Sequence, residues 1–318
     1  MSDTMPAELL GGGNRIVREA VPCWHFAMMN DQVRNQAFRE AIEKTVRYDD
    51  LVLDIGTGGG LTALIATRAG AQVITCEANP VTALLADRVV RANGYGDRIT
   101  VVPKPSTELV VGRDLPRRAD VLSAEVFDCG LPGEFALPAL EHAQRELLTP
   151  GARLVPAGGR LWAQIIESED LFGLNNVGMV DGFDLTAFNL ATTQNYFPCR
   201  VDRLVHTRLT PAFPLFDFGF ANPPTSQSKH LDLPATANGT ANAAVMWFEL
   251  DLGNDIKLSN QPGRPSHWHQ AAQTFGTPLP VTAGATLHVT AEHDLTHVTV
   301  NLQAGNPRST ETSPDTHA

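Results

Sequence analysis

The chain has 318 residues, 43% of them hydrophobic and 19% charged, which is the composition of a soluble globular protein with room for two domains. Its formal net charge of −11 argues against nucleic acid as a partner and suits a cationic ligand. No apolar run approaches the roughly 20 residues of a membrane span, no secretory pattern opens the chain, and Cys23, Cys76, Cys129 and Cys199 lie without zinc or disulfide spacing; the expectation is a cytoplasmic protein with no metal and no membrane partner.

Residues 1–20 read as a mobile leader jointed at Gly11-Gly12-Gly13. From Val21 to Val46 the pattern is helical, with Phe26, Met29, Val33, Ala37, Ala41 and Ile42 on one face and His25, Met28, Asp31 and Arg34 beside it. Leu51 to Ile55 is a strand, followed by the loop Gly56-Thr57-Gly58-Gly59-Gly60 and a helix from Leu61 to Ala69. Strand, glycine loop and helix open a nucleotide-binding α/β fold, in which the glycines allow close approach of a ligand to the backbone and the helix offers free N–H groups. The loop alone does not name the ligand, although the absence of a following lysine disfavours a nucleoside triphosphate. The strand Ala71 to Cys76 ends in Glu77, placed to accept both hydroxyls of a ribose. Asn79 caps the next helix with Pro80 in its first turn, and a strand from Ile99 to Pro103 leads to Ser106-Thr107-Glu108.

The fourth apolar run, Val121 to Ala124, ends in Glu125; a loop with Gly130, Pro132 and Gly133 follows, and Glu134 stands nine residues after the first acid. Two carboxylates at the tip of a strand can share a proton or clamp a cation, and a guanidinium is the cation whose planar fork matches them. On the loop alone, a helix cap plus a solvated acid explains the pair as well. A helix over Pro138 to Leu148, a turn at Thr149-Pro150-Gly151 and a strand from Arg153 complete this half. From Arg160 the pattern turns to short β segments, Leu161 to Ile166, Arg203 to Leu209, Ala243 to Leu252, Thr286 to Ala291 and His297 to Leu302, as in a barrel or sandwich. Residues 170–197 read as an inserted arm with helical stretches and exposed aromatics, and residues 304–318 as a disordered tail.

Taken together, these features resemble the protein arginine N-methyltransferase family over roughly residues 20–305. The carrying residues are His25, Met28, Asp31 and Arg34 in the leader helix, Asp54-Ile55-Gly56-Thr57-Gly58, Glu77, the pair Glu125 and Glu134, and Ser266-His267-Trp268 in place of the family's T-H-W. Ser106-Thr107-Glu108, Glu125-Val126-Phe127-Asp128, Leu137-Pro138 and Ala291-Glu292-His293-Asp294 resemble its monomethylating branch, whereas Ala136 stands where many members have methionine. The resemblance implies an α/β Rossmann-like methyltransferase domain over residues 21–155 and a β-barrel-like domain over 156–303, with the 170–197 arm making a homodimer. It implies S-adenosyl-L-methionine as cofactor, bound by Arg34, Asp54, Gly56, Thr57, Gly58, Glu77, Ser106, Thr107 and Glu125. It also implies arginine as acceptor, clamped by Glu125 and Glu134 with Met28 and Trp268 bordering it. Asp31 and His267 form the family's acid–histidine pair, which either takes the proton or ties the helix to the site. The expected product is ω-N-monomethyl-arginine, with free L-arginine favoured as acceptor in a natural-product pathway. The alternatives are a protein or peptide arginine, or a small-molecule amine; a neutral acceptor would leave two buried charges unpaired.

Overall fold

The computed structural model describes residues 14–222 and 225–303. Five strands, β1 (Leu51–Ile55), β2 (Gln72–Cys76), β3 (Ile99–Val102), β4 (Ala119–Ala124) and β5 (Leu148–Val155), form an all-parallel sheet in the order β3-β2-β1-β4-β5. The central β1 is buried at every residue, which is why its sequence is an unbroken apolar run around Asp54. The order reverses between β1 and β4, so the carboxyl ends of β1, β2 and β4 open one crevice at the switch point. The Gly56–Gly60 loop, Glu77 and Glu125 emerge there.

The helices of the described residues are α1 (Asn14–Ala20), α2 (Trp24–Met29), α3 (Gln32–Thr45), α4 (Leu61–Arg68), α5 (Pro80–Ala92), α6 (Ala136–His142) and α7 (Glu169–Phe172). The expected mobile leader is helical from Asn14; residues 1–13, and the tail over 304–318, lie outside the described residues. The single helix expected from Val21 to Val46 is two, because the Asp31 carboxylate accepts from the Arg34 N–H at 2.9 Å and restarts the chain as an N-cap. The break rotates the faces: Phe26 and Val33 are exposed, whereas Met28, Arg34 and Phe38 are buried. α5 starts as expected, with the Asn79 side chain accepting from Val81 and Thr82 at 3.0 and 3.3 Å. α6 begins two residues before Pro138, passes into a wide turn at Ala143–Leu147, and β5 absorbs the Thr149-Pro150-Gly151 stretch expected as a turn.

The second half is antiparallel. It comprises β6 (Gly158–Glu167), β7 (Met179–Val180), β8 (Phe183–Asp184), β9 (Phe197–Cys199), β10 (Thr207–Arg208), β11 (Phe213–Gly219), β12 (Gln227–Pro234), β13 (Gly239–Asp251), β14 (Lys257–Ser259), β15 (Gln270–Val281), β16 (Thr286–His293) and β17 (Val298–Gln303). One sheet runs β10-β6-β13-β15-β9 with β11 on β6 and β14 on β13; a second runs β12-β16-β17. The strand expected over Arg203 to Leu209 shrinks to β10, since Val201–Arg203 coil into a 3-10 turn. One contiguous apolar core joins both halves: Phe127 of the Glu125 loop stacks on Phe220 at 5.5 Å, and Trp268 meets Phe248 edge-on at 5.1 Å.

The arm has little helix. After α7 it is the β7–β8 hairpin and a 3-10 stretch at Thr186–Ala191. Leu171 is fully buried, packed with Ile166, Val201 and Trp247, so the exposed arm starts after it. Beyond that point Phe183, Phe188 and Leu190 are 70%, 77% and 95% exposed. No described helix is long and apolar enough to cross a membrane.

Candidate active site

A cavity of about 840 Å³ lies at the switch point, floored by Gly56, Gly58, Glu77 and Glu125 and closed by Tyr196, His267 and Trp268 from the second half. Its volume is in the range of small-molecule sites. Gly56 and Gly58 have φ of 85° and 49°, and a β-carbon on Gly56 would stand 2.6 Å from Val126; the floor is bare backbone because a side chain fits neither the conformation nor the space. Glu77 is held in place before any ligand arrives: its two oxygens accept the N–H groups of Gly58 and Asn79 at 3.1 and 3.0 Å. Asp54 and Thr57 lie beneath the floor. Asp54 accepts from Thr75 at 2.7 Å and Thr57 shares a hydrogen bond with Thr75 at 2.6 Å; burial pushes the Asp54 carboxyl up to about 6 against the hydroxyls of Thr75, Thr62 and Ser123. Ser106 is buried, Thr107 is exposed, and neither lines the cavity.

Arg34 rises from α3 behind Glu125, and the two buried side chains form an ion pair through the arginine Nη2. The other terminal nitrogen donates to Asn35 at 2.7 Å, while the buried Nε has no partner among the described residues. Thr82, in the first turn of α5, lines the cavity with a buried hydroxyl that is also unpartnered among the described residues; it carried no sequence signal beyond its place in a capped first turn. A bare backbone floor, an anchored carboxylate and buried unpaired donors fit an adenosine carrying an amino-acid tail.

At the acceptor end Glu134 opens onto the cavity with no hydrogen bond or ion pair among the described residues. Burial, then the charges of Asp128, Glu125 and Glu77, raise its carboxyl above the ordinary range. Glu134 and Phe135 have left-handed φ of 56° and 61°, a turn that the Asp128 carboxylate organises by accepting from Gly130 and Gly133 at 3.0 and 3.1 Å. The Tyr196 hydroxyl donates to the same carboxylate at 2.8 Å. Sequence reasoning gave Asp128 no role in the site and read Tyr196 as an exposed arm aromatic. The spacing Asp128-Cys129-Gly130 is an Asx-turn signature that could have flagged the first; nothing local marks the second.

Met28 and Trp268 both line the cavity, and the Trp268 indole donates to the Phe127 carbonyl at 2.8 Å. His267 also lines it, whereas Asp31 stands behind. One Asp31 oxygen accepts both the His267 backbone N–H at 2.8 Å and, at 3.0 Å, the ring Nδ1–H. Burial opposes ionisation of Asp31, yet the hydrogen bonds from His267 and from the Arg34 N–H outweigh it and hold the carboxyl at about 2. Ala136 is fully buried and does not face the cavity. Among the described residues no group of three or more His, Cys, Asp and Glu side chains could hold a metal ion.

No family model matches the chain. An arginine N(omega)-methyltransferase of Streptomyces achromogenes subsp. streptozoticus is 45% identical over 276 residues, covering 86% of this chain and 76% of that one. Protein arginine N-methyltransferase 7 of Drosophila erecta is 31% identical over 319 residues, and that of Oryza sativa subsp. indica 30% over 331; the chain spans 46% of the length of each. Among solved structures, the Trypanosoma brucei PRMT1 enzyme-prozyme heterotetrameric complex with AdoHcy superposes with a TM-score of 0.76 at 23% identity, over 89% of this chain and 93% of that one. Arabidopsis thaliana protein arginine methyltransferase 10 gives 0.70 at 19% identity, over 86% and 89%. These two likenesses are of fold: a parallel nucleotide-binding sheet followed by an antiparallel barrel-like half. With the relatives at 30% identity and above, they place the chain in the arginine N-methyltransferase family.

Proposed function

We propose that this S-adenosylmethionine-dependent arginine N-methyltransferase places a single methyl group on an ω-nitrogen of free L-arginine, as a cytoplasmic homodimer. The cofactor supplies a methyl already activated on a sulfonium, so the protein's task is alignment and charge placement. Glu77, fixed by two backbone N–H groups, is positioned for the ribose hydroxyls. Arg34, behind Glu125, is read as the partner of the amino-acid carboxylate, with its Nε, unpartnered among the described residues, as a further donor. Gly56 and Gly58 admit the ligand to the backbone, and Asp54 and Thr57 support the floor from beneath through Thr75, while Ser106 and Thr107 stand away from the cavity. Glu134 and Glu125 hold the guanidinium plane, draw its positive charge away from the attacking nitrogen and stabilise the cationic product.

The observation that carries this reading is the Glu134 carboxylate, unpaired among the described residues and raised by burial and then by the charges of Asp128, Glu125 and Glu77, an arrangement that an incoming cation relieves. The same property makes Glu134 the better acceptor for the proton lost after transfer; Asp31, held near 2 by His267, suits a tie between α3 and the barrel half. Phe127, Trp268 and Met28 line the cavity, and their bulk favours a single methylation. Free arginine is favoured because the relative at 45% identity is named for arginine. The relatives named for protein arginine favour a peptide instead. Incubation with labelled S-adenosylmethionine and either free arginine or an arginine-rich peptide, with products weighed by mass spectrometry, decides between them. Monomethylarginine from the free amino acid is expected. Label entering the peptide alone overturns the acceptor, and dimethylarginine as the main product overturns the single methylation.

A further inference from the structure

The turn that presents Glu134 is built around one side chain. Asp128 Oδ1 accepts from Gly130 and Gly133, its backbone carbonyl accepts from Leu131 at 3.2 Å, and Glu134 follows directly. The remaining carboxylate oxygen takes the Tyr196 hydroxyl, a donor from 68 residues further along the chain, at the root of the arm beside β9. Two glycines make room for this contact. A β-carbon on Gly130 would stand 2.4 Å from the Tyr196 ring, and one on Gly133 would stand 2.3 Å from the Asp128 carboxyl carbon. Neither glycine has a positive φ, so both are required by the space that Tyr196 and Asp128 fill and not by backbone conformation. The Asp128 charge also faces Glu134, where it ranks behind burial among the influences that raise that carboxyl.

We infer that Tyr196 is a positioning residue for the acceptor: through Asp128 it fixes the turn that aims Glu134, so the root of the arm sets acceptor affinity without touching the cofactor. The inference rests on the reading of Glu134 as an acceptor ligand. A hydrogen bond to a charged carboxylate, lost at half-buried positions, corresponds to about a tenfold change in affinity.

The test uses the full chain with Tyr196→Phe, Asp128→Asn, the double variant, and Glu134→Gln. Tyr196→Phe is expected to raise KM for arginine about tenfold, to keep kcat within about threefold, and to leave calorimetric S-adenosylmethionine affinity unchanged. On top of Asp128→Asn it should add nothing, because its effect runs through that carboxylate. Gly130→Ala, which displaces the ring without altering Tyr196 itself, should reproduce the KM rise. Unchanged arginine KM in Tyr196→Phe, additive effects in the double variant, or an equal loss of cofactor affinity would each overturn the inference while an inactive Glu134→Gln leaves the acceptor reading standing. An active Glu134→Gln removes that reading and the inference with it.

Discussion

Glu125 has the buried Arg34 guanidinium as a partner, and Glu134 has none among the described residues. The same substitution should therefore have different consequences at the two acids. Glu134→Gln keeps the shape of the turn and removes an anion that the acceptor cation needs. Breaking such a desolvated pair costs roughly 3–5 kcal/mol, a fall of more than a hundredfold in kcat/KM, with cofactor affinity unchanged in calorimetry. Glu125→Gln should in addition leave Arg34 buried without its anion, so both S-adenosylmethionine affinity and thermal stability drop; a variant impaired only toward arginine would contradict the ion pair. The raised Glu134 carboxyl sets a pH dependence. Its ionised form binds the acceptor, the guanidinium keeps its proton throughout, and kcat/KM for arginine should fall as pH drops through a value above the ordinary carboxylate range. Glu77→Ala removes two hydrogen bonds to the ribose, each worth roughly 1.5–3 kcal/mol, and also frees the N–H groups of Gly58 and Asn79; unchanged cofactor affinity would refute the nucleotide site.

Between elements, Asp31 does two jobs with two oxygens: one starts α3 and the other ties that helix to the His267 segment of the second half. Asp31→Ala removes a cap and a charged hydrogen-bonded tie, together roughly 3 kcal/mol of stability. The carboxyl is depressed from an ordinary 3.8 to about 2, so its contribution is present above pH 4 and is lost as pH falls toward 2. Urea titrations of both proteins should accordingly converge over that interval, and a constant difference would show that packing, not charge, makes the tie. The same residue shows what a sequence hides. The spacing of His25, Met28, Asp31 and Arg34 reads as one helix, because a cap inside a periodic stretch leaves the period intact on either side. The glycine loop and β1 were legible, since a strand buried on both faces must be an apolar run and must hand over to small residues where a ligand approaches. Strands β11 and β15 were not, as Pro, Gly and Ala interrupt or dilute their alternation, nor was β12, whose residues are mostly polar. Glu77 and Glu125 could be placed because each directly follows a legible strand; the Tyr196–Asp128 contact joins residues with no shared local pattern.

For the molecule as a whole, the arm is a built element whose outer side no described residue covers. Its base is fixed by buried Leu171 and by Asn175, which donates to Thr274 at 2.9 Å. The Asn189 side chain bridges to both backbone groups of Val177 at 2.9 Å, holding the hairpin and the 3-10 stretch together. A segment this ordered keeps Phe183, Phe188 and Leu190 in solvent, at a standing cost that association would remove. The nucleotide half offers a complementary apolar surface, where α2 and α3 expose Trp24, Phe26 and Val33. In the proposed homodimer each arm would dock on the partner's helices, giving two copies of one interface. The double variant Phe183→Asp/Phe188→Asp places two charges in that contact and should be monomeric in light scattering at micromolar concentration. Val205→Asp, at an exposed position outside the arm, should remain dimeric. Since the arm's root holds Asp128 through Tyr196, the monomer should also bind arginine more weakly than the dimer while S-adenosylmethionine affinity changes less. A parent protein that is monomeric at micromolar concentration with full activity would rule the dimer out. A monomeric double variant with unaltered arginine KM would keep the dimer and sever its link to the acceptor loop.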